Sequence, residues 1–190
     1  MARGLILDRD GVVNHDPGYV HRIADIRFID GIFDLASAFT ARGFRIVIAT
    51  NQSGIGRGLY GEADFALLMD WMRAEFARHG APLAGVYHCP DHPTEGKGVY
   101  RRDTPRRKPG PGMILEAAAD LGLDLAASWC VGDKDSDMAA GRAARVGTLV
   151  LYEPAAAAVE RRGDLWVVPD LASVAALLAR AESGSRLTEG

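Results

Sequence analysis

The chain has 190 residues, 48% hydrophobic and 25% charged, with 22 Lys and Arg against 25 Asp and Glu, a net charge of -3 and a pI near 5.9. That length buries one sizeable core and is short for two full domains, and the mildly acidic balance lacks the clustered positive charge a nucleic-acid backbone requires. No apolar run approaches the roughly 20 residues of a membrane span, and two distant cysteines, Cys89 and Cys130, make no disulfide framework. The expectation is one domain over 1–182 with a frayed tail at 183–190: a cytoplasmic monomer acting on small molecules, with no nucleic-acid or membrane partner.

In chain order, short apolar runs bounded by turn residues predict buried strands at 5–7, 45–50, 86–88, 129–131, 148–151 and 166–168. Helical patterns fall between them, at 31–41, 62–79, 111–121, 135–144 and 171–181. Over 62–79, Phe65, Leu68, Met69, Met72 and Phe76 share one face, which marks a core stripe. Segment 153–158 reads as linker. Strands alternating with helices predict an α/β fold with a doubly wound, mainly parallel, Rossmann-like sheet that binds ligands beyond the carboxyl ends of its strands.

Polar residues collect at those strand ends. The first strand runs into Asp8, Arg9, Asp10 and Gly11, where one carboxylate would attack while the other moves protons, although Asp-Gly pairs also make ordinary turns. The second runs into Thr50, Asn51, Gln52 and Ser53, a hydroxyl and amides suited to phosphate oxygens. The fourth core strand ends at Val131, Gly132 and Asp133, with Asp137 following in the first turn of a helix. Magnesium needs only one or two carboxylates beside substrate phosphate, which Asp8 and Asp133 provide, and Lys108, just ahead of a helix, would balance phosphate charge.

In that order, Asp8-x-Asp10-Gly11, Thr50, Lys108 and Gly132-Asp133-x-x-x-Asp137 resemble the four motifs of the haloacid dehalogenase superfamily of phosphotransferases. Within it, Gly18-Tyr19-Val20-His21, Phe28-Ile29-Asp30-Gly31, Asn51-Gln52-Ser53-Gly54-Ile55 with Arg57-Gly58, and Arg107-Lys108-Pro109 resemble the heptose 1,7-bisphosphate 7-phosphatases of lipopolysaccharide precursor synthesis. The resemblance implies a magnesium-dependent phosphatase with Asp8 as nucleophile, Asp10 as general acid and base, and Thr50 and Lys108 stabilising the phosphoryl group. It places magnesium on Asp8, the Asp10 carbonyl and Asp133, with Asp137 behind them. Substrate contacts carried over are Asp16, Pro17, Gly18, Tyr19, Asn51, Gln52, Ser53, Arg107 and Lys134. With no long insertion between Asp10 and the second strand, a separate cap domain is not expected, and loops 15–29, 53–60 and 89–107 must shape the pocket.

The third loop departs from the family pattern. Members commonly hold a structural zinc there through a Cys-x-His and a Cys-x-Cys pair; here Cys89 is kept and the other positions are Asp91, Thr104 and Arg106, so structural zinc is not expected. An alternative local ligand set is His88, Cys89, Asp91 and His92. Gly56, Gly58 and Gly61 outline a dinucleotide-binding fingerprint, but the preceding strand ends too early and no acid stands roughly 20 residues on. Two further alternatives stay open: a phosphatase for histidinol phosphate or another small phosphomonoester, and a receiver-like module that accepts a phosphoryl group without turnover.

Overall fold

The computed structural model describes residues 1–184. Seven strands, β1 (Arg3–Leu7), β2 (Phe44–Asn51), β3 (Leu83–Cys89), β4 (Trp129–Gly132), β5 (Thr148–Tyr152), β6 (Glu160–Arg162) and β7 (Leu165–Val168), form one sheet in the order β3-β2-β1-β4-β5-β7-β6. Every neighbouring pair is parallel except β6 against β7. The chain builds outward from β1 to β2 and β3 on one side, then returns to place β4 on the other. A crevice opens at such a reversal, beyond the carboxyl ends of β1 and β4.

Alternation along the strands splits the core in two. Leu5, Leu7, Ile46 and Ile48 pack with Leu35 and Phe39 of α1 (Ile32–Thr40), Phe65, Leu68 and Met72 of α3 (Glu62–Arg78), and Leu177 of α6 (Leu171–Glu182). Ile6, Val47 and Cys130 face the other way, onto Met113 and Ala117 of α4 (Gly112–Leu121) and Met138 of α5 (Asp135–Ala143). With both faces covered, the inner strands read as nearly unbroken apolar runs. No separate domain is inserted between β1 and β2, where only the 3-10 turn Ile23–Asp25 and α1 lie.

The differences from the sequence expectation have local causes. A five-residue helix, α2 (Ser53–Arg57), stands where the glycines pointed to loop. β6 is charged and exposed at every position, so it carries no apolar signal, and it forms by pairing along the outer edge of β7. β3 starts at Leu83 because Gly85 is accommodated within the strand, its missing side chain leaving room for the Tyr87 ring. Residues 153–158 form turns between β5 and β6, and the tail expected at 183–190 lies, from 185 onward, outside the described residues. Among the described residues, no helix is long and apolar enough to cross a membrane.

Candidate active site

β1 ends one residue before Asp8, whose backbone N–H still donates to Val131 O at 3.0 Å, so the carboxylate is delivered at the crevice. Lys108 reaches it from the opposite side of the sequence. Its Nζ donates to Asp8 Oδ1 at 2.7 Å and Ala49 O at 2.8 Å and pairs with Asp137 Oδ1 at 2.6 Å. Burial alone would lower the Lys108 pKa, but the Asp8 and Asp137 charges outweigh it and the net shift is upward. Asn51 clamps the Lys108 backbone with both ends of its amide, donating to Lys108 O and accepting from Lys108 N–H, each at 3.0 Å. Asp137 also accepts the Lys134 N–H at 3.0 Å. Its role in this arrangement is to hold Lys108.

Asp10 stands apart from this trio. Its carboxylate accepts from Arg9 Nε at 2.9 Å and Nη2 at 2.7 Å, from Asn14 Nδ2 at 3.0 Å and from Gln52 Nε2 at 2.9 Å. Arg9 is completely buried and also donates to Val20 O at 2.6 Å. The Gln52 amide donates a second bond to Thr50 Oγ1 at 2.8 Å and accepts from Tyr60 OH at 2.5 Å. Arg9, Asn14 and Tyr60 belong to the site without being marked in the sequence, where the one signal is an arginine at the end of a buried strand.

The residues present fit magnesium. Carboxylate oxygens of Asp8, Asp133 and Asp137 lie within 4.8 Å of one another. Asp137 is engaged by Lys108 and Asp10 by Arg9, whereas Asp133 has only the half-exposed Lys134, at 3.5 Å, and its Oδ1 is buried with no partner. Burial, followed by the Asp8 charge, pushes the Asp133 pKa up to about 6, the signature of a carboxylate short of a counter-charge. The Asp10 carbonyl faces the same corner, 3.4 Å from Lys134 Nζ. Such all-oxygen sites suit a hard cation. Gly11 makes the approach possible: it has φ +104, and a Cβ there would lie 2.1 Å from Asp133 Oδ2.

Above these groups is a cavity of about 360 Å³, lined by Asp8, Asp10, Thr50, Lys108 and Asp137 below, by Gly54 and Tyr60 on one wall, and by Asp16, Gly18, Tyr19, Ser53, Lys134 and Ser136 around the rim. Of the expected substrate contacts, Asn51 and Gln52 also line it, although their side chains are taken up by Lys108, Asp10 and Thr50. Tyr19 is a non-glycine residue at φ 52, a strained conformation that turns up at ligand-binding positions. Pro17 and Arg107 are not brought to the cavity wall. Pro17 borders a neighbouring depression, and Arg107, donating to Asp91 O at 3.0 Å, borders another formed by residues 103–110.

At the altered loop, each position that departs from the zinc pattern has another use. Asp91 is buried and pairs with Arg102 at 3.0 Å, Thr104 Oγ1 accepts the Arg106 N–H at 3.3 Å, and Arg106 pairs with Glu116 at 3.0 Å. His88 binds Glu62 at 2.8 Å. Among the described residues, the one group of three or more carboxylate, imidazole or thiol ligands is that of Asp8, Asp133 and Asp137.

The fold and the site define a hydrolase of haloacid dehalogenase type, and a family model described as HAD-hydrolase-like matches residues 105–174. D-glycero-alpha-D-manno-heptose-1,7-bisphosphate 7-phosphatase of Burkholderia mallei is 56% identical over 149 residues, spanning 78% of this chain and 79% of the relative. D-glycero-beta-D-manno-heptose-1,7-bisphosphate 7-phosphatase of Escherichia coli is 44% identical over 173 residues, 90% of each. The crystal structure of D,D-heptose 1,7-bisphosphate phosphatase from B. bronchiseptica, complexed with magnesium and phosphate, matches with a TM-score of 0.78 at 29% identity, covering 94% of this chain and 99% of that one. The chain belongs to the D-glycero-D-manno-heptose-1,7-bisphosphate 7-phosphatase family. Membership sets aside the receiver-like and dinucleotide-binding readings.

Proposed function

We propose that the protein removes the 7-phosphate of D-glycero-D-manno-heptose 1,7-bisphosphate by magnesium-dependent hydrolysis through a phosphorylated Asp8. The observation that carries this reading is the division of labour between two carboxylates: Asp8 is paired with Lys108, and Asp10, two residues on, with Arg9. Groups so close but held by separate partners can take separate roles, nucleophile and proton carrier.

An Asp8 oxygen attacks phosphorus and the bond to the sugar O7 breaks, while Asp10 gives its proton to that oxygen. Asp10 then takes a proton from water as the water oxygen attacks phosphorus, and Asp8 leaves as a carboxylate with release of phosphate. Lys108 and the Thr50 hydroxyl stabilise the phosphoryl oxygens in both steps. Magnesium, held by Asp8, Asp133 and the Asp10 carbonyl, would neutralise phosphate charge. Asp16, Gly18, Tyr19, Ser53 and Lys134 would face the sugar, with Arg107 and Pro17 set back from it.

The reading takes 1–182 as one catalytic domain, since a single sheet carries every group used. It places the enzyme in the cytoplasm as a monomer, supported by two buried free thiols, Cys89 and Cys130, and by large exposed apolar residues that are scattered along the chain. The test is magnesium-dependent phosphate release from both anomers of heptose 1,7-bisphosphate, histidinol phosphate and hexose phosphates. Preference for a heptose anomer supports the reading; preference for histidinol phosphate, or turnover that survives Asp8→Asn, overturns it. Both anomers are needed because the relatives carry both in their names.

A further inference from the structure

We infer that Tyr60 is a positioning residue for the reaction: its phenol fixes the Gln52 amide in the one orientation that serves Asp10 and Thr50 together. This rests on the proposed role of Asp10 as proton donor.

Tyr60 follows α2, buried to 8% exposure, with its ring stacked on His21 at 4.7 Å and an interplanar angle of 3°. It fills the space beside Gly54, where a Cβ would meet the ring at 2.2 Å. From there the hydroxyl reaches Gln52 Oε1 at 2.5 Å. Burial raises the phenol pKa to about 12, so the group keeps its proton and donates. The donor selects the amide oxygen, and the NH2 is left pointing the other way. Its two hydrogens meet two acceptors, Asp10 Oδ2 at 2.9 Å and Thr50 Oγ1 at 2.8 Å. A flipped amide would set its oxygen against the Asp10 carboxylate and would oblige the phenol to accept, leaving its own hydrogen without the Gln52 oxygen.

Two consequences follow for the chemistry. A Thr50 oxygen that accepts from Gln52 keeps its own hydrogen free to donate into the cavity. Asp10, fixed at Oδ2 by Gln52 and at Oδ1 by Arg9 and Asn14, is aimed by contacts from three directions. Tyr60 touches neither group. It acts through Gln52, and its stack on His21 joins this network to loop 15–29.

Tyr60→Phe keeps the ring and the stack and removes one hydroxyl. The readout is kcat/KM for heptose 1,7-bisphosphate against that for p-nitrophenyl phosphate, whose leaving group needs no proton. The expected result is a loss of about 10-fold or more on the sugar phosphate, several-fold larger than on the aryl ester, since only the former draws on Asp10 as an acid. Equal losses on the two, or none, would overturn the inference. Asp10→Asn is run alongside: if it lacks the same leaving-group signature, the assignment of Asp10 fails instead. Should Tyr60→Phe not fold, Gln52→Met removes the same amide at similar volume and must give the same signature.

Discussion

The floor of the site and its rim are built on different terms. At and beyond the ends of β1, β2 and β4, Asp8, Arg9, Thr50, Gln52, Lys108 and Asp137 are all buried, and contacts of 2.6 to 2.9 Å join them in two sets, Asp8 and Asp137 to Lys108, and Arg9, Gln52 and Thr50 around Asp10. At the rim, Lys134 spans 3.5 Å to both Asp16 and Asp133, and the Lys134 side chain is half exposed and that of Asp16 one-third exposed. Phosphoryl transfer tolerates little misplacement, and Arg9, Gln52 and Lys108 are each held by several partners at once. Sugar recognition needs adaptable contacts, and without a cap domain the loops must supply them.

If the floor is one interlocked unit, removing its central cation has the largest effect. Lys108→Met leaves Asp8 and Asp137 buried without their counter-ion, so we expect kcat to fall by roughly 100-fold or more. The same loss of a buried partner should cost about 3 kcal/mol of stability, read from a denaturant midpoint. A variant of wild-type stability would break the contrast with the rim.

Asp133 belongs to the floor by position and yet lacks a strong partner. Its pKa is raised to about 6 from 3.8, so in the metal-free protein its stabilising contribution is full below about pH 3.8 and is lost as the pH rises through about 6. Magnesium should therefore raise the melting temperature at pH 7 and raise it less at pH 5, and Asp133→Asn should abolish most of the shift. Thermal melts with and without the ion, at both values, check this.

A smaller effect belongs to the loop above. Asp91 holds Arg102 with its side chain and Arg107 with its carbonyl. Asp91→Ala frees one of these ties, and we expect KM to rise about three- to ten-fold with kcat within twofold, in steady-state assays on the sugar phosphate. A fall in kcat with KM unchanged would place this loop with the floor instead.

The floor was legible in the sequence to the extent that its residues end apolar strands. Asp8, Thr50 and Asp133 each follow a hydrophobic run in a parallel sheet, where an idle carboxylate or hydroxyl is costly, and strand order then brings them together. Lys108 became legible through its place in the ordered motif. Arg9 did not, because an arginine between two aspartates reads as locally solvated charge, whereas the fold buries it completely under Asp10. Tyr60 was hidden by α2, a helix of Ser-Gly-Ile-Gly-Arg that helix propensity disfavours and that carries the phenol back toward Gln52. Arg107 shows the converse: its motif is intact, but Asp91 draws its guanidinium away from the cavity.

A covalent intermediate on Asp8 can be trapped by acid quench of the enzyme during turnover of 7-phosphate-labelled heptose 1,7-bisphosphate. The expected result is protein-bound label that hydroxylamine releases, that maps to Asp8 and that is absent in Asp8→Asn. Turnover with no bound label, together with a substantial rate in Asp8→Asn, would contradict it.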